Sequence, residues 1–165
     1  MTSIIKVDQI QNAAGGTPTA ADLGLNVSGS VLQVKQVTGT NTAVSTSVNW
    51  TSVAATCSIT PSSTSSKILI QHRAGGLAET TNSIGFRFKR NGTVVLENDR
   101  HVGFHNDSTW GTSEFDLIFL DTPSTTSQVD YTFEMNKSNS GGAIRHNDYE
   151  SVFNTWVTIL TEIAG

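Results

Sequence analysis

Residues 84–98, IGFRFKRNGTVVLEN, hold two alternating runs separated by Asn91-Gly92. Ile84, Phe86 and Phe88 fall on one side of an extended chain and Arg87 and Lys89 on the other, the two-residue period of a half-buried strand. Asn and Gly both tolerate positive φ, so the pair fits a two-residue type I′ hairpin whose twist matches that of its strands. A tight antiparallel hairpin at mid-chain sets the expectation for what flanks it.

Working outward, the same signature repeats. Downstream lie residues 114–121 (EFDLIFLD), 129–135 (VDYTFEM), a short piece near 143–146, and a long final run at 153–163 (FNTWVTILTEI). Upstream, residues 67–73 (KILIQHR) begin as a nearly continuous apolar run, the pattern of a strand covered on both faces. A turn at 61–66 precedes it. Residues 44–50 and 56–60 read as one Thr/Ser-rich strand, and residues 31–37 as the first. Residues 100–113 read as a long loop. About eight strands without a long helical period indicate an all-β, antiparallel jelly roll or β-sandwich.

Composition agrees. Of 165 residues, 23 are Thr, 19 Ser and 12 Asn, while only 15% are charged. Thr suits a pleated surface and Ser, Asn and Gly suit turns. A net charge of −4 with ten scattered Lys and Arg gives no footprint for nucleic acid. No apolar run approaches the roughly 20 residues of a membrane span, and the first residues lack a signal peptide's apolar stretch. Cys57 is the only cysteine, which excludes an intrachain disulfide and reads as a buried hydrophobe.

Two stretches stand apart from the sandwich pattern. Residues 1–28 carry Ile4, Ile5, Val7 and Ile10, then Gly15-Gly16 and a Thr17-Pro18 helix start closed by Gly24, too little in one piece for a core. They read as an extended anchor that docks on another protein, with residues 29–165 as the β-domain. In the final strand, Val157, Ile159 and Ile163 share one side, and Trp156 and Leu160 the other. A single sandwich buries one side only, so either a loop or, the favoured expectation, a neighbouring subunit covers the second, with Trp156 and Leu160 as the subunit contacts.

No catalytic pattern is present: no nucleophile elbow, phosphate loop or paired zinc-binding histidines on a helix. Neither cofactor nor metal is expected. His101 and His105 lie about 13 Å apart along an extended chain, so spacing alone does not pair them. His72 and His146 become candidates only if the fold gathers them, or if a threefold axis brings single histidines of three chains together. Asp99, Asp107, Glu114 and Asp116 are the acidic residues from which a glycosidase pair would be drawn. Arg100, His101, His105 and Trp110, with Phe104 and Asn106, mix aromatic faces and hydrogen-bonding groups suited to a sugar or protein surface.

The opening IIKVDQIQNAAGGTPTAADLGLN, the following GSVLQV, the later SSTSSKILI and the final TILTEIAG together resemble virion proteins of tailed bacteriophages, especially those of marine and cyanobacterial hosts. In that family the first motif opens tail-fibre or appendage chains, and the unit from GSVLQV to TEIAG is a C-terminal β-domain of about this length. The resemblance implies a non-enzymatic, homotrimeric virion component, attached to another virion protein by its leading segment and turning the β-domain towards a host-surface glycan or protein. No repeat-rich shaft separates the two parts here. A short tail fibre, a fibre tip and a capsid decoration protein all fit, and a small glycan depolymerase is the enzymatic alternative.

Overall fold

The computed structural model describes residues 11, 14–18, 23, 28–40, 42–78, 84–102, 111–137, 143–149, 152–153 and 155–165. Among these run twelve strands and no helix: β1 (Val31–Gly39), β2 (Ala43–Ser45), β3 (Thr51–Ile59), β4 (Lys67–Ala78), β5 (Ile84–Arg90), β6 (Thr93–Val102), β7 (Gly111–Asp121), β8 (Val129–Lys137), β9 (Ile144–His146), β10 (Asp148–Tyr149), β11 (Val152–Phe153) and β12 (Trp156–Ile163). β10 and β11 pair only with each other. The other ten make two antiparallel sheets.

In the six-stranded sheet, β12 lies between β1 and β4. β7 lines the opposite edge of β4 from Ile68 to Ala78, and β9 with β2 continues beyond β12 along the first edge. The four-stranded sheet runs β3-β8-β5-β6. Numbering only the eight long strands in chain order, the sheets read 1-8-3-6 and 2-7-4-5, the strand order of a jelly roll. The expected eight strands are this framework; β2, β9, β10 and β11 are short additions to it.

The hairpin that opened the reading is in place. Asn91 and Gly92 have φ of 48° and 83°, both positive as a type I′ turn requires. The Asp130 amide donates to the Asn91 side-chain oxygen and the Asn91 amide to the Asp130 carbonyl, at 2.8 and 2.9 Å, which fastens the turn to β8. Ile84, Phe86 and Phe88 point inward with Tyr131, Phe133 and Met135 of β8. From the other sheet come Ile68, Ile70, Leu117, Trp156 and Leu160. Each such side chain contributes about 1.5–3 kcal/mol on burial, and together they hold the layers in contact. Cys57 is buried among them, and burial raises its thiol pKa above the ordinary value.

Polar clasps join the sheets at the edges of this core. Asp121, at the end of β7, accepts from Arg90 at 2.8 and 3.0 Å and from the Tyr131 hydroxyl at 2.6 Å, tying one sheet to two strands of the other. Burial, and then the hydrogen bond to Asp121, push the Tyr131 hydroxyl pKa upward. Glu162 of β12 is fully buried. It accepts from Gln33 at 2.6 Å and from the amide and hydroxyl of Ser62 at 2.7 Å each. Burial alone would raise its pKa, but these donors outweigh it and hold the carboxyl below its usual range.

Three expectations about strands are corrected. Residues 46–50 do not continue a strand, because serine hydroxyls capture the backbone: Ser45 Oγ accepts from the Ser47 amide and Ser47 Oγ from the Asn49 amide, at 3.3 and 3.0 Å. The long loop of residues 100–113 gives up both ends to β6 and β7, which follow their partners out to Ile84↔Val102 and Ala78↔Gly111. β4 is not covered on both faces at its start: Ile68, Ile70 and His72 are fully buried, whereas Leu69 and Gln71 alternate outward and are half-buried. The anchor residues Ile4, Ile5, Val7 and Ile10 lie outside the described residues, as does Gly24.

Candidate assembly surface

The outward residues of the two sheets differ in kind. On the four-stranded sheet, Ser52, Glu134, Arg87 and Glu97 align across β3, β8, β5 and β6. Arg87 Nε donates to Glu134 at 2.6 Å, Lys89 reaches the other oxygen of Glu134 at 3.2 Å, and Arg87 Nη1 reaches Glu97 at 3.4 Å. The Arg87 guanidinium also lies 4.5 Å from the centroid of the Trp50 ring. Partial burial pushes the Glu134 pKa up, and its cationic partners pull it down further. This face is finished for water.

The outer face of the six-stranded sheet is not. The register builds rows across β1, β12, β4 and β7: Val34, Thr161, Leu69 and Leu120 in one, and Gln36, Ile159, Gln71 and Ile118 in the next. Val31 and Ile163, with Lys67, flank one end. Thr38, Val157, Arg73 and Asp116 flank the other. Val31, Val34, Ile118 and Leu120 are 61, 56, 59 and 46% exposed. A one-sided antiparallel sheet ordinarily presents polar residues to solvent. Here two whole rows are uncharged and half apolar, and the only charges stand at the two ends.

β12 shows how far the pattern departs from that of a solvated strand. Its inward side is Trp156, Thr158, Leu160 and Glu162, and its outward side is Val157, Ile159, Thr161 and Ile163. The more apolar side therefore points away from the core. The inward polar groups are accommodated by hydrogen bonds, so the strand sits this way round without leaving them unsatisfied. Trp156 and Leu160, expected as subunit contacts, are 3 and 0% exposed and belong to the core of the single chain. They offer no surface to a neighbour. The strand expected over residues 153–163 begins only at Trp156, Phe153 belonging to β11, and the side expected to meet a neighbour is the buried one.

The fold does gather two of the histidines. His72 of β4 and His146 of β9 place their Nε2 atoms 3.2 Å apart, and His72 Nδ1 lies 2.8 Å from the Thr158 hydroxyl. Both rings are fully buried, and His72 stacks on Phe133 at 4.4 Å between centroids. Burial, joined for His72 by the charge of His146, lowers their pKa values to about 3 and about 4. Both belong to the interior of the single chain. Among the described residues no three His, Cys, Asp or Glu side chains gather as a metal site. The pair is a structural bridge between β4, β9 and β12.

Of the remaining sequence candidates, Asp116 stands at one end of this surface, and the others lie elsewhere in the sheets or outside the described residues. Arg100 and His101 lie in β6, in the four-stranded sheet, while His105 and Trp110 lie outside the described residues. Asp99 is in β6, Glu114 and Asp116 are in β7, and Asp107 lies outside the described residues.

No protein-family model matches the sequence, and no curated protein matches it. Among solved structures, the chain is similar to dimeric latent PorU from Porphyromonas gingivalis, with 12% identity and a TM-score of 0.42 over 79% of this chain and 13% of that one. It is also similar to the infectious bursal disease virus VP2 subviral particle, with 12% identity and a TM-score of 0.41 over 81% and 37%. Particles of T=1 symmetry derived from the same virus give 14% identity and a TM-score of 0.37 over 81% and 36%. The chain thus spans well under half the length of each of these proteins.

Proposed function

We propose that this chain is a non-enzymatic structural protein of a bacteriophage particle, a short homotrimeric fibre or fibre tip. Residues 1–28 attach it to another virion protein, and the jelly-roll domain faces the host surface. The observation that carries the reading is the inequality of the two outer faces. One is neutralised by ion pairs. The other exposes Val31, Val34, Ile118 and Leu120 on one side of the sheet, as a domain built into an assembly does. The resemblance of residues 4–34 and 158–165 to phage appendage chains supplies the kind of assembly.

Decoration of the capsid is the second reading, and the breadth of the same face favours it, since a protein lying on a shell needs a wide contact. The test is to purify particles and locate the chain on them by antibody labelling and cryo-electron microscopy. Density at the tail supports the fibre, and density on the shell supports decoration. Recovery of the chain only in the soluble fraction of infected cells overturns both.

A further inference from the structure

The chemistry of the uncovered face narrows what sits on it. Its two middle rows, Val34, Thr161, Leu69, Leu120 and Gln36, Ile159, Gln71, Ile118, contain no charge and no aromatic ring. Nucleic acid and anionic lipid demand clustered cations, and this face has only Lys67 and Arg73, at opposite ends. Sugars are gripped by aromatic platforms, which it lacks. What fits a pleated, β-branched, neutral surface is another surface of the same character. The chain itself supplies one in every copy.

Dimensions then show how copies can pack. Four strands about 4.8 Å apart make a face about 19 Å wide, and four outward rows about 6.8 Å apart make it about 27 Å long, so roughly 500 Å². Two such faces packed together bury about 1,000 Å², the lower bound for a specific interface, and three bury about 1,500 Å² in all, shared among three contacts, so the copy number is that of the homotrimer proposed above. Three faces about 19 Å wide, set as a triangular prism, stand about 5.5 Å from the common axis. Side chains between packed sheets fill about 5 Å on each side, half of the usual 10 Å separation. A threefold prism is therefore filled by one layer of side chains from each copy.

We infer that the outer face of the six-stranded sheet is the trimerisation surface of this chain, turned towards a threefold axis. This rests on the assembly reading above and names its partner. Ile159 and Thr161 of β12, with Gln71 and Leu69 of β4, occupy the middle of the face and come nearest the axis. Lys67 and Arg73 fall at the two ends of the prism, where water reaches them. Trp156 and Leu160 stay in the core of each copy.

The experiment uses the full chain. Sedimentation equilibrium at micromolar concentration is expected to give three times the chain mass of 17.6 kDa. Ile159→Lys is expected to weaken association at least tenfold with the β-sheet circular dichroism unchanged, and Thr56→Lys, exposed on the four-stranded sheet, to leave it intact. Thr161→Cys provides a second readout that leaves the fold undisturbed. Mild oxidation should link copies through this residue while the buried Cys57 stays silent, and Thr56→Cys should not link them. A monomeric wild type, or a trimer indifferent to Ile159→Lys and unlinked by Thr161→Cys, overturns the inference. Incorporation into particles separates the two levels. If the wild type is monomeric yet Ile159→Lys blocks incorporation, the face still serves assembly and only its partner was misassigned. If Ile159→Lys joins particles normally, the assembly reading of the face fails.

Discussion

The buried imidazoles of His72 and His146 make stability depend on acidity in a defined direction. Folded, they stay neutral down to pH values of about 3 and about 4, against 6.5 for a free histidine. On acidification the unfolded chain takes up these protons first. Stability is therefore untouched above about pH 6.5 and falls below it, by at most about 1.4 kcal/mol per pH unit for each histidine, until the folded-state values are reached. Glu162 and Glu134, whose pKa values are depressed in the fold, add a loss in the same direction, but only below the ordinary carboxylate value of 4.5. Urea titrations of the wild type and of a His72→Gln, His146→Gln variant should separate the two. The variant loses the slope between pH 6.5 and 4.5 and keeps only the carboxylate part of the slope beneath. At Gly92 a Cβ meets nothing within 4 Å, so Gly92→Ala costs only the strain of a φ of 83°, about 1–2 kcal/mol by denaturant midpoint.

Among the elements, β12 and the Asp121 clasp are the most informative. Trp156→Ala removes a core ring and is expected to cost about 3–5 kcal/mol of single-chain stability, as a thermal shift in the Ile159→Lys background will show. A subunit contact would leave that background unaffected. Asp121→Ala strands Arg90 and Tyr131 and should cost about 3–5 kcal/mol, whereas Tyr131→Phe removes one donor and should cost about 1–3 kcal/mol. The hairpin at Asn91-Gly92 and the inward Phe86 and Phe88 were legible because the signals are local: a turn dipeptide and a two-residue period. The orientation of β12 was not. Both its sides are apolar enough to be inward, and the deciding partners lie far along the chain. Thr158 meets His72 across 86 residues and Glu162 meets Ser62 across 100. A polar residue at a buried position looks outward until its distant partner is known. The ends of residues 100–113 were hidden for a related reason, since the ladders with β4 and β5 extend the strands beyond their own patterning.

For the whole molecule, the proposed association predicts a melting temperature that depends on protein concentration, because a bound neighbour stabilises only the folded chain. The wild type is expected to melt higher at 100-fold greater concentration, while Ile159→Lys melts at the same temperature throughout. Equal behaviour of the two by scanning calorimetry would count against subunit burial of this face. The apolar side of the six-stranded sheet also bears on the interval before assembly. On the proposed assembly, every newly folded copy carries Val31, Val34, Ile118 and Leu120 bare until its mates arrive, and bare apolar surface is prone to sticking indiscriminately. Synthesis rate and assembly rate would then be linked, with production faster than partner capture expected to divert copies into precipitate. Ile159→Lys should raise the soluble yield of isolated chains for the same reason that it is expected to weaken their association.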